Sequence, residues 1–369
     1  MSRYLSGRPR IDSRVLAFGI LTLLASWPSP ARGQDQPTLV LGGEIRPRLL
    51  ARTPVEGKWD HWISMRSRLD LGARFQEGLA LFLQIQDVRF WGEELTNRDR
   101  SADAVDFHQA YLEVDSLPGI GGKVRVGRQE VTLAQGRFLA APNWGQAGQT
   151  FDGLKWSRFL GPARLELVYL RLQEGSSAVH DVTADLSAAW LVLPAGAFGA
   201  VELLALHDRS GGQAGTGQST AGAIWKLDRG RIGLVAQGMG QVGERQGRDV
   251  SAFMLAVQGR MEILEDRGSV TLWLDHLSGD EDPFDEEIQA FSTLFGARHR
   301  FYGRADYFRD IPEDTRGLGL QDLALKLALT PAPSVSVNLD LHAFRTARRG
   351  NLSSHRLAEE IDLWIRYRF

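Results

Sequence analysis

Cysteine is missing from all 369 residues, which excludes a disulfide framework, a thiolate metal site and a cysteine nucleophile. Lysine is scarce: Lys58, Lys123, Lys155, Lys226 and Lys326 are the whole set among 43 basic residues. The positive charge is therefore carried almost entirely by guanidinium groups. Beyond residue 33 no apolar run approaches the roughly 20 residues that a membrane-spanning helix needs. A strong excess of either charge is absent too. Residues 1–33 hold five Arg and one Asp, so the remainder carries 38 basic and 44 acidic residues, which is not a nucleic-acid-binding balance. Nucleophile elbows, metal-ligand spacings and phosphate-cradling glycine loops do not occur.

What the sequence does contain is alternation. Its last nine residues place Ile361, Leu363, Ile365, Tyr367 and Phe369 on one face of a strand and Asp362, Trp364, Arg366 and Arg368 on the other, because strand side chains switch faces at every residue. Such a strand suits a wall between lipid and water. It resembles the closing strand of outer-membrane β-barrels, with Tyr367 and Phe369 as the aromatic signal that the barrel-assembly machinery reads. From Ile63 to Phe75 the odd positions are mostly apolar, while the even ones carry Ser64, Arg66, Arg68, Asp70 and Arg74. A helix cannot use that pattern. Leu323 to Leu329 and Val335 to Ala343 repeat it, and Leu39 to Leu50, Val124 to Gly127 and Val270 to Asp275 do so more weakly. Ser116 to Gly122, Asp208 to Thr216 and Gly243 to Arg248 read as turns between strands.

Arg8, Arg10 and Arg14 precede an apolar run from Val15 to Trp27, followed by Ala31-Arg32-Gly33. Residues 1–33 therefore read as a cleaved secretory signal, too short to span a bilayer. Residues 34–369 read as an all-β, transmembrane, antiparallel up-and-down barrel, since only helices and closed barrels satisfy every backbone group in hydrocarbon. Strands of about 9 to 11 residues give about 16 to 18 of them. A soluble β-sandwich would explain the alternation, but not the arginines that its own pattern buries.

Those arginines carry the chemistry. The polar face holds Arg46, Arg48, Arg66, Arg68, Arg74, Lys123, Arg125, Arg300, Arg304, Lys326, Arg366 and Arg368. It also holds Glu44, Asp70, Glu113, Asp275, Asp306, Asp322, Asp340 and Asp362. A guanidinium stays charged and fits a carboxylate through a planar fork. A lane of them suits organic anions such as carboxylated sugars, while the bland reading is that Arg and Asp cross-brace a water-filled wall. Six carboxylates lie between Gly279 and Glu287, so Asp280, Asp282 and Asp285 are weak calcium candidates. The run lacks a fixed ligand spacing, and a solvated outer loop, or one that gates the arginine lane, is the favoured reading. Asp275-His276 with Ser278 comes nearest to a hydrolase cluster, but neighbours on a strand point to opposite faces. An outer-membrane hydrolase is the alternative of another class, and no cofactor is expected.

Val126-Gly127-Arg128-Gln129-Glu130, Gly136-Arg137-Phe138, Asn143-Trp144 and Gly148-Gln149-Thr150-Phe151-Asp152-Gly153 resemble the central signature of the alginate export family. Gln84 to Arg89, Trp91-Gly92-Glu93, His108 to Leu112, Phe291 to Phe295 and His299 to Gly303 extend the similarity over nearly the whole mature chain. The resemblance implies an 18-stranded monomeric barrel in the Gram-negative outer membrane, with a narrow, anion-selective, arginine-rich pore that in the best-known members exports alginate. By motif, Arg66, Arg68, Arg128 and Arg137 would line the constriction, oriented by Asp70, Asp87 and Asp152, with Arg89 also on the wall. Gln149 stands where relatives often carry Arg, and Ala134-Gln135-Gly136 replaces a more usual aromatic-Gly-Asp. The compact chain leaves little room for long plug loops. Expected partners are an anionic polysaccharide or small anions, outer-membrane lipid, the assembly machinery and periplasmic secretion proteins. A general small-anion or sugar porin is the runner-up.

Overall fold

A computed structural model describes residues 37–52, 60–75, 78–91, 105–177, 180–210, 216–282 and 284–368. The expected signal (1–33) and the terminal Phe369 lie outside these residues. The chain from Thr38 onward folds as one unit. Its first strands are β1 (Thr38–Arg52), β2 (Asp60–Arg74), β3 (Leu79–Phe90), β4 (Asp106–Val114), β5 (Lys123–Gln129) and β6 (Phe151–Leu160). Next come β7 (Ala163–Ser177), β8 (His180–Pro194), β9 (Ala200–Ser210), β10 (Thr216–Arg229), β11 (Ile232–Arg245) and β12 (Arg248–Ile263). The last are β13 (Gly268–Leu277), β14 (Glu287–Ile288), β15 (Leu320–Ala332), β16 (Val335–Arg345) and β17 (Arg356–Tyr367), with a one-turn helix α1 (Arg298–Phe301) before β15.

Apart from the two-residue β14, every strand pairs antiparallel with the previous long one, and β15 follows β13 directly. Sixteen long strands result, at the lower end of the range expected from length rather than the eighteen of the family resemblance. Short turns cluster at one end, as between Leu160 and Ala163 or Arg229 and Ile232, and the long loops at the other. In bacterial barrels the short turns face the periplasm. Gly243 to Arg248 is almost all strand: β11 and β12 continue to a two-residue turn at Gln246-Gly247.

The alternation is inverted relative to a water-soluble sheet. Along β12 the small or slender Val250, Ala252, Met254 and Ala256 are buried, whereas Phe253 (48%), Leu255 (54%) and Val257 (53%) are exposed. Leu69, Leu167, Leu272, Leu274, Leu323 and Leu325 continue that exposed apolar surface around the sheet. A soluble monomer rarely leaves such a continuous apolar area in water, and a lipid-facing wall requires it.

Two segments fold inward against the other face. Val131, Leu133, Phe138 and Leu139 from the β5–β6 loop, and Phe291, Phe301, Tyr302 and Ile311 from the β13–β15 loop, are almost wholly buried. They pack on Leu170, Leu186, Leu204, Met254 and Phe344 of the wall. The expectation of little room for plug loops is therefore overturned, because short turns at the opposite end free enough chain to fill the interior. The two segments cross where Gly296 meets Arg137. A Cβ at Gly296 would lie 1.9 Å from the Arg137 carbonyl oxygen, so only glycine permits that approach.

Among the described residues no ladder joins β17 to β1, and Leu41 (75%), Ile45 (76%), Ile361 (74%) and Leu363 (66%) of these two strands are strongly exposed. Two unpaired edges cannot face hydrocarbon. With sixteen strands β1 and β17 run antiparallel, so they can close the wall. The cysteine-free background makes this testable: Leu41→Cys combined in turn with Ile361→Cys, Leu363→Cys and Ile365→Cys should give one combination that cross-links under mild oxidation in membranes. Failure of every pair would rule out closure in this register.

Candidate pore and the segments folded into it

The inner face changes chemistry around the sheet. On β7 to β12 it is mainly apolar, with Val168, Leu170, Leu186, Leu204, Leu206, Ile224, Met239 and Met254 buried in the core and Glu166, Glu202 and Gln241 among them. On β1 to β4 it is charged. Antiparallel register sets Arg46 opposite Arg66, Glu44 opposite Arg68 and Gly42 opposite Asp70. Like charges directly opposed repel, and here each cation is offset by an acceptor. Both Glu44 oxygens accept from Arg66 Nη2 at 2.8 and 2.7 Å. Asp70 accepts from Gln84 at 2.7 Å.

The remaining acceptors belong to the β5–β6 loop. Arg46 donates to Gln146 Oε1 (2.8 Å) and to the carbonyls of Asn143 and Gly145 (2.7 Å each). Arg48 donates to the Trp144 carbonyl at 2.8 Å, and Arg66 to Asn143 Oδ1 and the Gln146 carbonyl. Arg68 donates to Gln86 Oε1 (2.7 Å), meets His108 Nε2 at 2.8 Å and lies 3.8 Å from Glu130. The expected lane is thus largely a clamp. Arg66 is fully buried and Arg68 only 8% exposed, so neither meets a passing solute, whereas Arg46 and Arg48 are half-buried at its edge.

Arg137 is also inward, but it is an anchor rather than a lining group. Its guanidinium and Asp275 of β13 form a fully buried ion pair. Tyr302 Oη accepts from it at 3.1 Å, Phe301 lies under it at 4.2 Å, and Trp273 Nε1 donates to Asp275 at 2.7 Å. Burial pushes the Tyr302 phenol up, so it stays a neutral acceptor and donor.

Four of the expected lining residues face the other way. Arg128 sits opposite Ala110 and Asp152, in phase with exposed Val126, Leu112 and Leu154. It holds Asp152 through two 2.9 Å bonds on the outer surface. Asp87 and Arg89 pair with each other at 2.8 and 2.9 Å and lie opposite Ser67 and Met65, again on the outer face. Strand parity decides all four, and it overrides the motif.

Near the short-turn mouth, Arg74 meets Asp115 at 2.9 Å, Lys123 bridges Asp115 and Glu113, and Arg125 reaches Glu113 at 2.7 Å while covering Tyr111 at 4.2 Å. Hydrogen bonding to Lys123 holds the Asp115 carboxyl, in the turn, below its ordinary range. Arg300 and Arg304 sit on or just after α1, not on a strand. Arg300 donates to the Gln135 carbonyl at 3.1 Å.

Arg304 belongs to a group that sequence reasoning did not assemble. Its guanidinium lies 3.8 Å over Trp364 of β17 and 5.7 Å from Trp144. Trp144 is 40% exposed, stacks on His299 at 3.8 Å, and takes Arg48 on its ring at 3.9 Å. His299 in turn bonds Asp306 at 2.7 Å. Burial alone would raise the Asp306 carboxyl, and this bond outweighs it and lowers the group instead. The only hint in the sequence was Trp364 in the polar phase of the last strand. Tyr367 is exposed at the end of β17.

Most of the acidic run is exposed, as a solvated loop would be, with Glu281, Asp282, Asp285 and Glu286 in solvent, and its two ends are held to the wall. Asp280 is 8% exposed, β14 lies parallel to β12, and Arg248 reaches both Asp280 (3.5 Å) and Asp285 (3.3 Å). Burial pushes the Asp280 carboxyl up. Among the described residues no three His, Asp or Glu side chains converge as metal ligands, and Asp282 accepts the Phe284 amide at 3.0 Å. Asp275 points inward and His276 outward, as alternation requires, so that pair forms no relay.

Comparison with known proteins fits this geometry. No curated protein matches the chain. The anion-selective porin from Comamonas acidovorans is similar in fold at 12% identity (TM-score 0.53), over 90% of this chain and 100% of that one. Pseudomonas aeruginosa OccK5 (OpdH) is similar at 11% identity (TM-score 0.56), over 92% and 89%. Pseudomonas aeruginosa OccK3 (OpdO) is similar at 13% (TM-score 0.53), over 88% and 82%. Residues 50–351 match the alginate export family. With that match over most of its length and an inverted, lipid-facing wall, the chain belongs to the alginate export family and is an outer-membrane β-barrel.

Proposed function

We propose that the protein is a passive outer-membrane channel for carboxylated solutes, with an acidic polysaccharide such as alginate as its substrate class. The observation that carries this reading is the half-exposed group of Trp144, Trp364, Arg48 and Arg304. Indole faces stack on sugar rings, and guanidinium forks fit carboxylates. Each contact is weak and exposed, so a polymer can be handed on rather than trapped. Positive potential inside the wall raises the local anion concentration. No energy source is encoded, so direction would come from synthesis or from a periplasmic partner, and residues 1–33 would deliver the chain as a cleaved signal. A small-anion porin is the second reading, favoured by the fold it shares with the anion-selective porin of Comamonas acidovorans.

Planar-bilayer recordings under a salt gradient separate the two. Anion-selective current blocked by oligouronate supports the polysaccharide channel, and anion current without block supports the porin. Arg304→Gln with Trp364→Ala should weaken block roughly tenfold, the loss of about one charge-assisted contact. Arg128→Ala, on the outer face, should leave the reversal potential unchanged. Block of wild-type strength in the double variant would remove the aromatic group from the solute path.

The infolded segments should set conductance. Asp275→Asn leaves Arg137 buried without its counter-ion, a local cost of about 3 to 5 kcal/mol. The expected result is larger, noisier single-channel steps from a barrel that still folds. Unchanged steps would mean that these segments lie off the conduction path.

A further inference from the structure

The outer face of β12 to β17 carries a feature that the pore does not use. Ala343 lies opposite Leu323, where its missing side-chain volume leaves a groove of about 420 Å³ walled by Leu255 and Leu274. A second groove of about 410 Å³ shares Leu323 and Ala343 and continues past Leu325 and Leu341. Together they form a trough along the lipid-facing wall that is apolar along Leu323, Leu325, Leu341 and Ala343 and carries Glu359, the partner of Arg356, on the rim of the second groove. At its long-loop end the trough meets a polar row that crosses four strands in register: His276, Gln321, Arg345 and Arg356.

That row is built for an anion. Gln321 Nε2 donates to His276 Nδ1 at 3.0 Å, which leaves Nε2 of a neutral imidazole as the protonated, donating nitrogen. Arg345 is exposed, and its guanidinium makes no hydrogen bond or ion pair among the described residues. It stands directly opposite Arg356, whose guanidinium reaches only Glu359 at 2.7 Å. Two opposed guanidiniums repel, and an anion between them removes the repulsion. An acyl chain fills the trough while a charged head sits at the row, the arrangement of one molecule with both parts.

We propose that the trough and the row bind a phosphorylated, acylated glycolipid of the outer leaflet, with its phosphate held by Arg345, Arg356 and His276 and one acyl chain lying along Leu323 and Ala343. A phosphate offers three acceptor oxygens to donors along this row, and Arg binds it in a fork. The long-loop end faces the outer leaflet, where such lipids lie, and the site is independent of what passes through the pore.

The test uses the full refolded mature chain in detergent, titrated with lipid A and with fully dephosphorylated lipid A, and read by native mass spectrometry. Wild type should retain lipid A and bind the dephosphorylated form at least roughly tenfold more weakly. Arg345→Gln should weaken lipid A binding by about the same factor, and Ala343→Trp, which fills the trough, should abolish retention. Arg229→Gln, exposed at the short-turn end, is the control and should bind as wild type. Folding is checked by heat-modifiability on gels, and the exposed position of Arg345 keeps the test open if Ala343→Trp does not fold. Equal binding of both lipids, or wild-type binding by Arg345→Gln, overturns the proposal. So does loss of self-association in Ala343→Trp with lipid binding intact, which would assign the trough to a second copy of the chain.

Discussion

A guanidinium taken out of water has to be paired, and the interior of this barrel is arranged around that requirement. Arg137 and Asp275 are both fully enclosed, where an isolated charge would cost several kcal/mol. Their pairing fixes one point of the β5–β6 loop to the wall at β13. Once that point is set, the Gly296 crossing fixes the β13–β15 loop against it, and the hydrogen bond from Ala297 to the Gly136 carbonyl at 2.8 Å holds the crossing. The position of α1, and with it His299, Arg300 and Arg304, follows.

The two halves of the inner face share this task. The apolar half on β7 to β12 supplies most of the burial, about 25 cal/mol per Å² of apolar surface removed from water. The charged half on β1 to β4 supplies direction, because carbonyls of residues 143–146 can accept only where Arg46, Arg48 and Arg66 aim. An apolar interior alone would let the loop slide. A charged interior alone would leave it in water.

Alternation makes the wall legible in the sequence. The faces of β1, β2 and β15 to β17, and the inward direction of Arg46, Arg66, Arg68 and Asp70, follow from period two. Motif resemblance and strand phase disagree at β5 and β6, and phase prevails. Val124 and Val126 already assign the apolar face of β5, and Arg128 shares it, so parity alone would have turned Arg128 and its partner Asp152 outward. The plug was not legible for a different reason. Arg137 and Asp275 are 138 positions apart, and nothing local marks either as half of a pair. The aromatic group likewise joins Trp144, His299, Arg304 and Trp364 from three distant parts of the chain.

The clamp bears on what can cross the pore. A buried arginine held by its neighbours contributes field but offers no fork to a solute, so Arg66, held by Glu44, Asn143 and the Gln146 carbonyl, and Arg68, held by Gln86 and His108, act on an anion only through their charge. Field alone concentrates any anion, chloride and uronate alike. Discrimination has to come from groups that a solute can reach, and on the inner surface the half-exposed Arg304, laid over Trp364 at 3.8 Å, is such a group. An indole gains little from a small inorganic ion. It gains the area of a sugar ring from a polyuronate, and the guanidinium beside it then meets the carboxylate that the same ring carries.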